Sequence, residues 1–410
     1  MNLIALLIAT LLAALAATVA IAQPPSPAEA DSKVQVAAYY FPNWGPEPYS
    51  EWGAVKVAKP RFAGHAQPKV PLWGYENEND PTVMAHKIDS AADHGLDAFI
   101  FDWYYYDRVS SESTGPQDPA SHWDGSKYLS SALEHGYLGA PNNERVRFAV
   151  MWCNHDLGTL AKGAVSPETF DRLADYVIEK YFKHPAYWKI DGCPYFSIYE
   201  VDTFLQTFGG DVAKAVDALD RFRSKVQAVG FPDLHLNGVL FALGRRGNSA
   251  AALTKELKLD SATSYTWIHH YALPDFPATD FDIVANAYFQ FVEHGGGHNG
   301  LEQKADTLGV PYFLNVSMGW DSSPRCPAGI DWMAKRTPYP LGAVITGNTP
   351  ERFQEALARA KALTLQRPPN ERIITINSWN EWGEGSYLEP DTVHGLAYLQ
   401  AIQSVFATGK

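Results

Sequence analysis

The feature that most constrains the fold is a regular alternation of apolar, strand-like runs with amphipathic, helix-like stretches. The strand-like runs lie at residues 34–41, 97–103, 145–154, 193–200, 234–243, 261–267, 311–320 and 373–379. Several of them are continuously apolar, which is typical of strands buried on both faces of a parallel sheet. The helix-like stretches lie between and after them, at residues 81–94, 167–182, 211–229, 282–293, 350–365 and 392–407.

Eight strands that alternate with helices predict an α/β fold, a single (β/α)8 TIM barrel with long loops. The segments after strands, above all residues 43–80 and 321–348, are long. This asymmetry supports the prediction, because such barrels carry their elaborated loops at the carboxyl ends of the strands. A doubly wound open sheet is the alternative, although the sequence has no GxxxxGKS/T phosphate loop.

The first 22 residues are predicted to be a signal peptide. Residues 3–22 are apolar and uncharged, and residues 20–22 are the small Ala-Ile-Ala that a signal peptidase accepts. A retained anchor is the alternative, since about 20 apolar residues can span a bilayer. Residues 23–32 are then a linker and residues 33–410 the catalytic domain. The mature protein is expected to be secreted or periplasmic, with no further membrane contact.

The charge balance and the cysteines disfavour several functions. The chain has 33 Lys+Arg against 46 Asp+Glu, so a nucleic-acid partner is not expected, because phosphate binding needs clustered cations. Three cysteines, Cys153, Cys193 and Cys326, are too few for a disulfide scaffold, and one bridge or none is possible. The glycine-rich run between His294 and His298 is interpreted as a surface loop rather than a metal site. We expect neither a metal nor a cofactor.

Aromatic, acidic and amide side chains recur at the carboxyl ends of nearly all the predicted strands. Such a mixture suits a carbohydrate, because flat rings can stack on the faces of a sugar while carboxylates and amides bind its hydroxyls. The predicted substrate-binding residues are Tyr39, Tyr40, Trp44, His65, Asp102, Trp103, Tyr104, Trp152, Asn154, His155, Tyr199, Glu200, Tyr265, Trp267, Trp320, Asn377, Trp379 and Asn380. His269 and His270 are weaker candidates. The alternative is that the aromatic residues only fill the barrel and cover its loops.

Residues 380–384 carry the most specific chemical signal. Glu381 and Glu384 stand three residues apart just after the last predicted strand, and Trp379 and Trp382 flank Glu381. Apolar neighbours desolvate a carboxylate and raise its pKa toward the range of a general acid or base. Glycosidic cleavage needs two carboxyl groups, which retaining enzymes hold roughly 5–5.5 Å apart. We therefore predict that Glu381 and Glu384 are the catalytic residues.

Two other glutamates receive different interpretations. Glu200 ends the fourth predicted strand, where many barrel glycosidases place their acid, and it is the second choice for a catalytic carboxylate. Glu389, together with Pro390 and Asp391, is expected to cap the last helix and to interact favourably with its dipole.

Residues 378–390, with the sequence SWNEWGEGSYLEP, resemble the Asn-Glu-Trp-His-Glu-Gly…Glu-Pro signature of glycoside hydrolase family 99 and of the related WbsX-like group. Further matches lie at residues 64–75 and at residues 80–104, so the resemblance spans most of the mature chain. The WbsX-like group is the closer of the two. Gly383 stands where family 99 has a histidine, and Asp102 where it has a smaller polar residue.

The resemblance implies a barrel and a retaining α-glycosidase that acts on mannose-type linkages, of the α-mannosidase or endo-mannanase type. In family 99 the first glutamate of the signature deprotonates the 2-hydroxyl of the sugar, which attacks the anomeric carbon and forms an anhydro-sugar. The second glutamate is the acid and then the base. By position, Glu381 takes the first role and Glu384 the second.

The WbsX-like name is associated with surface-polysaccharide synthesis. A glycosyltransferase or another polysaccharide-modifying enzyme is therefore one alternative to a hydrolase. A non-catalytic carbohydrate-binding barrel is the other.

Overall fold

The computed structural model describes residues 33–46, 50–107, 123–243, 249–327, 329–333 and 339–407. Residues 1–32, which contain the predicted signal peptide and linker, lie outside the described residues, so both stay predictions. Within the described ranges, no helix is long and apolar enough to cross a membrane. The unit described below begins at Val34.

Eight parallel strands of the described chain close into a barrel. They are β1 (Gln35–Tyr40), β2 (Ala98–Tyr105), β3 (Arg147–Trp152), β4 (Cys193–Ile198), β5 (His235–Val239), β6 (Ser261–Thr263), β7 (Tyr312–Ser317) and β8 (Ile373–Asn377). Each strand pairs in parallel with the next, and β8 pairs with β1, where Val36 lies opposite Ile374. The predicted TIM barrel is confirmed, and the open sheet is wrong.

Burial explains why the strands have apolar runs without alternation. All eight residues of β2 are buried, because one face points into the barrel and the other is covered by the surrounding structure. Seven of the eight predicted runs extend past the observed strands at their carboxyl ends, whereas β2 continues two residues past its run. Strand β6 ends at Thr263, and Trp267–His269 form a separate 3₁₀ turn, although the apolar run continues to residue 267.

Nine α-helices occur in the described part of the chain. They are α1 (Trp52–Val57), α2 (Pro81–Asp93), α3 (Pro167–Val177), α4 (Val201–Thr207), α5 (Val212–Ala228), α6 (Ala250–Glu256), α7 (Phe281–His294), α8 (Pro350–Thr364) and α9 (Ala397–Phe406). Their starts follow local chemistry. Asp80 and Ser166 accept hydrogen bonds from backbone N–H groups in the first turns of α2 and α3, and both helices begin with a proline.

Short elements complete the structure. One- or two-turn helices are Ala132–Tyr137, Asn143–Arg145, Ile178–Phe182, Leu240–Ala242, Trp267–His269, Ala305–Thr307, Ser323–Arg325, Pro369–Glu371 and Trp382–Glu384. Short strand pairs outside the parallel barrel are Trp123–Asp124 with Lys127–Tyr128, Lys189–Ile190 with the start of β4, Ala278–Asp280 with Val344–Thr346, and Asn380–Glu381 with Ser386–Tyr387. Cys153, Cys193 and Cys326 are free thiols.

The expectation for Glu389 was wrong. Helix α9 begins at Ala397, after the position Leu396, and no side chain caps it. Glu389 lies too far before this first turn and points inward instead, where its carboxylate is buried and hydrogen-bonded. Asp391 accepts from the backbone N–H of Val393 and so closes the turn that precedes the helix.

Candidate active site

A cavity of about 670 Å³ lies at the carboxyl ends of the barrel strands. Its size is within the range of small-molecule and saccharide sites. Its lining is Phe41, Asn43, Glu51, Asp102, Tyr104, Tyr128, Leu129, Met151, Cys153, His155, Leu157, Tyr199, Glu200, Phe241, Tyr265, Ile268, His269, Asn299, Trp320, Arg325, Tyr339, Glu381 and Glu384. Aromatic rings and carboxylates therefore face the same space.

A hairpin directly after β8 places both predicted catalytic glutamates at this cavity. Asn380–Glu381 pairs in antiparallel fashion with Ser386–Tyr387, and one 3₁₀ turn connects the two. Gly385 ends that turn in the left-handed region, at φ +62°. A Cβ there would come within 2.7 Å of the Cβ of Asp321, so the tight turn requires glycine.

The two glutamates share one guanidinium group. Nη1 of Arg325 donates to Oε1 of Glu384 at 2.5 Å and to Oε1 of Glu381 at 3.5 Å. The hydroxyl of Tyr339 donates to the same oxygen of Glu384 at 2.9 Å. Burial raises the pKa of both carboxyl groups, and the charge of Glu381 holds the pKa of Glu384 well above its ordinary value. The charge of Glu381 therefore favours the protonated form of Glu384.

Glu51 holds the guanidinium from the opposite side. Nε of Arg325 donates to Oε2 of Glu51 at 2.9 Å, and Nη2 donates to Oε1 at 3.2 Å. Gly383 leaves room for this ion pair, since a Cβ at that position would overlap Oε2 of Glu51 and lie 2.9 Å from Nε of Arg325. The bidentate pair fixes the orientation of the arginine over the catalytic glutamates.

Tyr265 connects Glu381 to Asp102, which lies in β2. The hydroxyl of Tyr265 contacts Oε2 of Glu381 and also lies 3.0 Å from Oδ2 of Asp102. Burial and the charge of Glu381 hold the pKa of Asp102 well above its ordinary value. The other oxygen of Asp102, Oδ1, is buried and has no hydrogen-bond partner among the described residues.

A buried ionic network centred on Lys87 holds the hairpin in place. Nζ of Lys87, in α2, donates to Oε1 of Glu78 and to Oε1 of Glu389, both at 2.6 Å. Glu389 accepts through Oε2 from Nε1 of Trp382 at 2.7 Å, and Glu78 accepts through Oε2 from Nδ2 of Asn380 at 3.0 Å. Burial raises the pKa of Glu78 to about 8. The loop after β1, helix α2 and the hairpin after β8 are thereby joined.

Asn380 also docks the hairpin on the end of β1. The backbone N–H of Phe41 donates to Oδ1 of Asn380 at 2.8 Å, and Nδ2 of Asn380 donates to the carbonyl oxygen of Phe41 at 2.9 Å. The amide side chain of Asn380 thus both accepts and donates, as a neighbouring strand would, and it fixes the position of the next residue, Glu381.

Asp321 connects the loop after β7 to the loop after β1. Its Oδ2 accepts from Nε2 of Gln67 at 2.7 Å and from Nζ of Lys69 at 2.7 Å, and it lies 2.9 Å from Nε2 of His65. Against the effect of burial, the charges of Lys69 and His65 hold the pKa of Asp321 well below its ordinary value. This carboxylate is thus ionised and engaged in holding the loops together.

The structure brings some of the predicted site residues to the cavity and places the others in the packed interior. Those that line the cavity are Asp102, Tyr104, His155, Tyr199, Glu200, Tyr265, Trp320, Glu381 and Glu384. Those that do not are Tyr39, Tyr40, Trp44, His65, Trp103, Trp152, Asn154, Trp267, Asn377, Trp379 and Asn380. Of the two weaker candidates, His269 lines the cavity, whereas His270 is buried against the backbone of His298.

The alternation of side chains along a strand accounts for much of this division. Neighbouring residues at a strand end point to opposite faces, so Asp102 lines the cavity while Trp103 faces outward and donates to the hydroxyl of Tyr181. Asn154 serves the site indirectly, because its amide side chain makes two hydrogen bonds of 2.8 Å with the backbone of Glu200.

Sequence reasoning missed three residues around the catalytic glutamates. Arg325, Glu51 and Tyr339 lie in loops or short helices far from residues 380–384 in sequence, and no periodicity marks them. The one signal that pointed to them was Gly383, where the family 99 signature has a larger residue, because a missing side chain leaves space for another group.

The fold is a (β/α)8 TIM barrel whose cavity holds a pair of buried carboxyl groups. The chain belongs to the WbsX family, since the model described as "Glycosyltransferase WbsX" matches residues 42–402. The resemblance to the WbsX-like group is confirmed.

Curated relatives include the "Uncharacterized protein WxcX" of Xanthomonas campestris pv. campestris, strain B100. It is 25% identical over 381 residues, which are 89% of this chain and 48% of that protein. The same protein from a second strain of that organism matches at the same identity and the same shares. The chain thus spans about half the length of these relatives.

Two solved structures share the fold over nearly their whole length. The "GH99 endo-alpha-mannosidase from Bacteroides thetaiotaomicron" has a TM-score of 0.53 and 16% identity, and the match covers 91% of this chain and 96% of that one. A "Glycoside hydrolase-like protein" has a TM-score of 0.55 and 14% identity, with 95% and 98% covered. At these identities the likeness shows the fold alone.

Proposed function

We propose that this protein hydrolyses glycosidic bonds in a polysaccharide or glycan, with retention of configuration and with Glu381 and Glu384 as its catalytic residues. The observation that carries the proposal is the pair of buried carboxyl groups on one guanidinium at an aromatic-lined cavity. Their different pKa shifts favour one ionised and one protonated carboxyl group, which is the state that acid–base cleavage of an acetal needs.

In the first step, Glu381 takes the proton of the substrate's 2-hydroxyl while that oxygen attacks the anomeric carbon. The glycosidic bond breaks, and Glu384 gives its proton to the leaving oxygen. Arg325 and Tyr339 then stabilise the carboxylate that forms on Glu384. In the second step, Glu384 takes a proton from water, which attacks the anomeric carbon. The bond between that carbon and the 2-oxygen breaks, and Glu381 returns its proton to the 2-oxygen.

The proposed substrates carry α-linked, mannose-type sugars. This choice is supported by the resemblance of residues 378–390 to family 99 and by the described activity of the structural neighbour, an endo-α-mannosidase. The proposed place of action is outside the cytoplasm, because residues 3–22 have the apolar, uncharged character of a signal peptide.

A glycosyltransferase is the second candidate, and the description of the family favours it. A nucleoside diphosphate donor would meet a repulsive surface here. The described cavity lining carries the acidic side chains of Glu51, Glu200 and Glu381, as well as Asp102 and Glu384 with their raised pKa values, against the single guanidinium of Arg325. Product formation that depends on an added nucleotide sugar would favour transfer over hydrolysis.

The test replaces each catalytic glutamate by glutamine and follows products from α-mannans, bacterial surface polysaccharides and aryl glycosides. We expect Glu381→Gln and Glu384→Gln each to lower kcat/KM by about 100-fold or more, on the scale of general acid–base catalysis. Aryl glycosides with a dinitrophenol leaving group need no acid in the first step, so Glu384→Gln should release a burst of dinitrophenol, whereas Glu381→Gln should not.

The control is Glu179→Gln, which changes an exposed glutamate in a surface ion pair. All three variants should show the circular dichroism spectrum and thermal midpoint of the parent. Parental rates in both catalytic variants would contradict the assignment.

A further inference from the structure

We propose that Asp102 is a positioning residue whose carboxyl group carries a proton, and that it holds the hydroxyl of Tyr265 on Glu381 so that Glu381 stays ionised as the base. The role of Glu381 rests on the proposed function. The protonation of Asp102 is a property of the folded protein and can be measured without substrate.

The first argument is a count of protons. The hydroxyl of Tyr265 has one proton, yet it contacts a carboxylate oxygen on each side, Oε2 of Glu381 and Oδ2 of Asp102. Burial holds the pKa of this phenol well above its ordinary value, so it keeps its proton. One proton can be donated to one oxygen only, and the second contact needs a proton from the other partner. Two ionised carboxylates would leave one of these buried contacts repulsive.

The second argument decides which carboxyl group holds the extra proton. Glu381 lies within reach of the guanidinium of Arg325, whereas the side-chain hydrogen bond of Asp102 among the described residues is the one with Tyr265. Burial and the charge of Glu381 hold the pKa of Asp102 well above its ordinary value, whereas at Glu381 the charge of Arg325 opposes the effect of burial on the pKa. Asp102 therefore holds the proton and donates it to the oxygen of Tyr265, which donates its own to Glu381.

The groups around Asp102 offer no cation in direct contact among the described residues. Those whose charges interact with it are Tyr39 from β1, Tyr104 from β2, Cys153 after β3, Tyr265 after β6, Arg325 after β7, and Glu381 and Glu384 after β8. Each of these except Arg325 either bears negative charge or would bear it on ionising. The environment therefore favours the neutral form of Asp102.

The protonated state leaves Oδ1 of Asp102 as a carbonyl oxygen. It is buried, has no hydrogen-bond partner among the described residues, and belongs to a residue that lines the cavity. A buried acceptor without a partner is costly, and it would cost more if it carried charge. The unpaired oxygen therefore also favours the neutral form of Asp102.

The direct test compares the infrared spectra of the parent and of Asp102→Asn near pH 7, without substrate. We expect the parent to show the carbonyl stretch of a protonated carboxyl group that Asp102→Asn lacks. In Tyr265→Phe the same band should shift, because its hydrogen-bond acceptor is gone. If Asp102→Asn removes no such band from the parent spectrum and Tyr265→Phe shifts none, the proposal is overturned, whatever the protein's activity.

The kinetic test uses the pH profile of kcat/KM. Asparagine is neutral and can donate to Tyr265, so Asp102→Asn should stay within about tenfold of the parent and keep its acid limb. Tyr265→Phe removes the donor that lowers the pKa of Glu381, so its acid limb should move to higher pH. A loss in Asp102→Asn as large as that in Glu381→Gln would mean that the ionised carboxylate of Asp102 is required, and would refute the positioning role.

Discussion

Gly383 determines which charges surround the catalytic glutamates. Because it has no side chain, Glu51 and Arg325 meet directly above it, and Arg325 reaches Glu384. The signature of family 99 has a histidine at this position, and no larger side chain fits beside this ion pair. A glycine in place of that histidine therefore changes the charges around Glu384 as well as the shape of the cavity.

We expect Gly383→Ala to displace Arg325 and to lower kcat/KM by about tenfold or more, the scale of one displaced charge-assisted hydrogen bond. Arg325 lowers the pKa of Glu384. Displacement of Arg325 raises that pKa, so Glu384 stays protonated up to a higher pH. The alkaline limb of the pH profile should therefore move to higher pH.

The matched control for this variant is Gly53→Ala, which lies in α1 and whose added Cβ would meet no atom within 4 Å. It should keep the profile of the parent. An unchanged alkaline limb in Gly383→Ala would show that Arg325 does not set the ionisation of Glu384.

At the scale of elements, the catalytic hairpin depends on helix α2. The ammonium group of Lys87 is buried between Glu78 and Glu389, and these two carboxylates in turn accept hydrogen bonds from the hairpin residues Asn380 and Trp382. Solvent does not reach the ammonium group, so its removal would leave these buried acidic groups without their hydrogen-bond donor and counter-charge.

We expect Lys87→Met to lower the free energy of unfolding by about 3–5 kcal/mol, as for other buried ion pairs that lose one partner. Urea denaturation followed by tryptophan fluorescence measures this loss. Lys183→Met, which breaks the exposed pair with Glu179, should change it by no more than about 0.5 kcal/mol. Similar values for both variants would mean that the buried lysine contributes no more than a surface one.

At the scale of the whole molecule, the barrel was predictable because its signal is local. A strand buried on both faces needs an apolar run whatever its neighbours are, and each of the eight predicted runs overlaps one of the eight strands. The catalytic candidates Glu381 and Glu384 could also be predicted, since both lie in one short segment with tryptophans around them. The ends of the strands could not be predicted, because the sequence stays apolar at residues such as Trp267 after the backbone has left the sheet.

The rest of the site depends on tertiary structure. Whether Asp102 or Trp103 faces the cavity is set by the register of β2, which the composition of the run does not reveal. Arg325 reaches the glutamates only because the loop after β7 folds back over Gly383. Such contacts join residues that are far apart in sequence, and no single segment encodes them.

The charge of the described cavity lining predicts a preference for neutral sugars. Even with Asp102 and Glu384 protonated, Glu51, Glu200 and Glu381 outnumber the guanidinium of Arg325, in a chain of net charge −13. We expect a uronic acid in place of the neutral sugar to raise the Kd of an oligosaccharide for Glu384→Gln by at least about tenfold at low salt.

Calorimetric titration of the two oligosaccharides measures this difference. Added salt should reduce it, because screening weakens repulsion between charges near the solvent. The Kd of the neutral oligosaccharide serves as the control and should change little with salt. Tighter binding of the acidic sugar would contradict the expected preference.

The docking of Asn380 on Phe41 also has a consequence for biosynthesis. These two residues, near opposite ends of the barrel sequence, exchange hydrogen bonds that seat the catalytic hairpin on the first strand. A growing polypeptide on the ribosome lacks the partner of Phe41 until almost all of the barrel has been translated. Under the proposed function, the barrel would therefore have no activity until its last strand and the hairpin have been made.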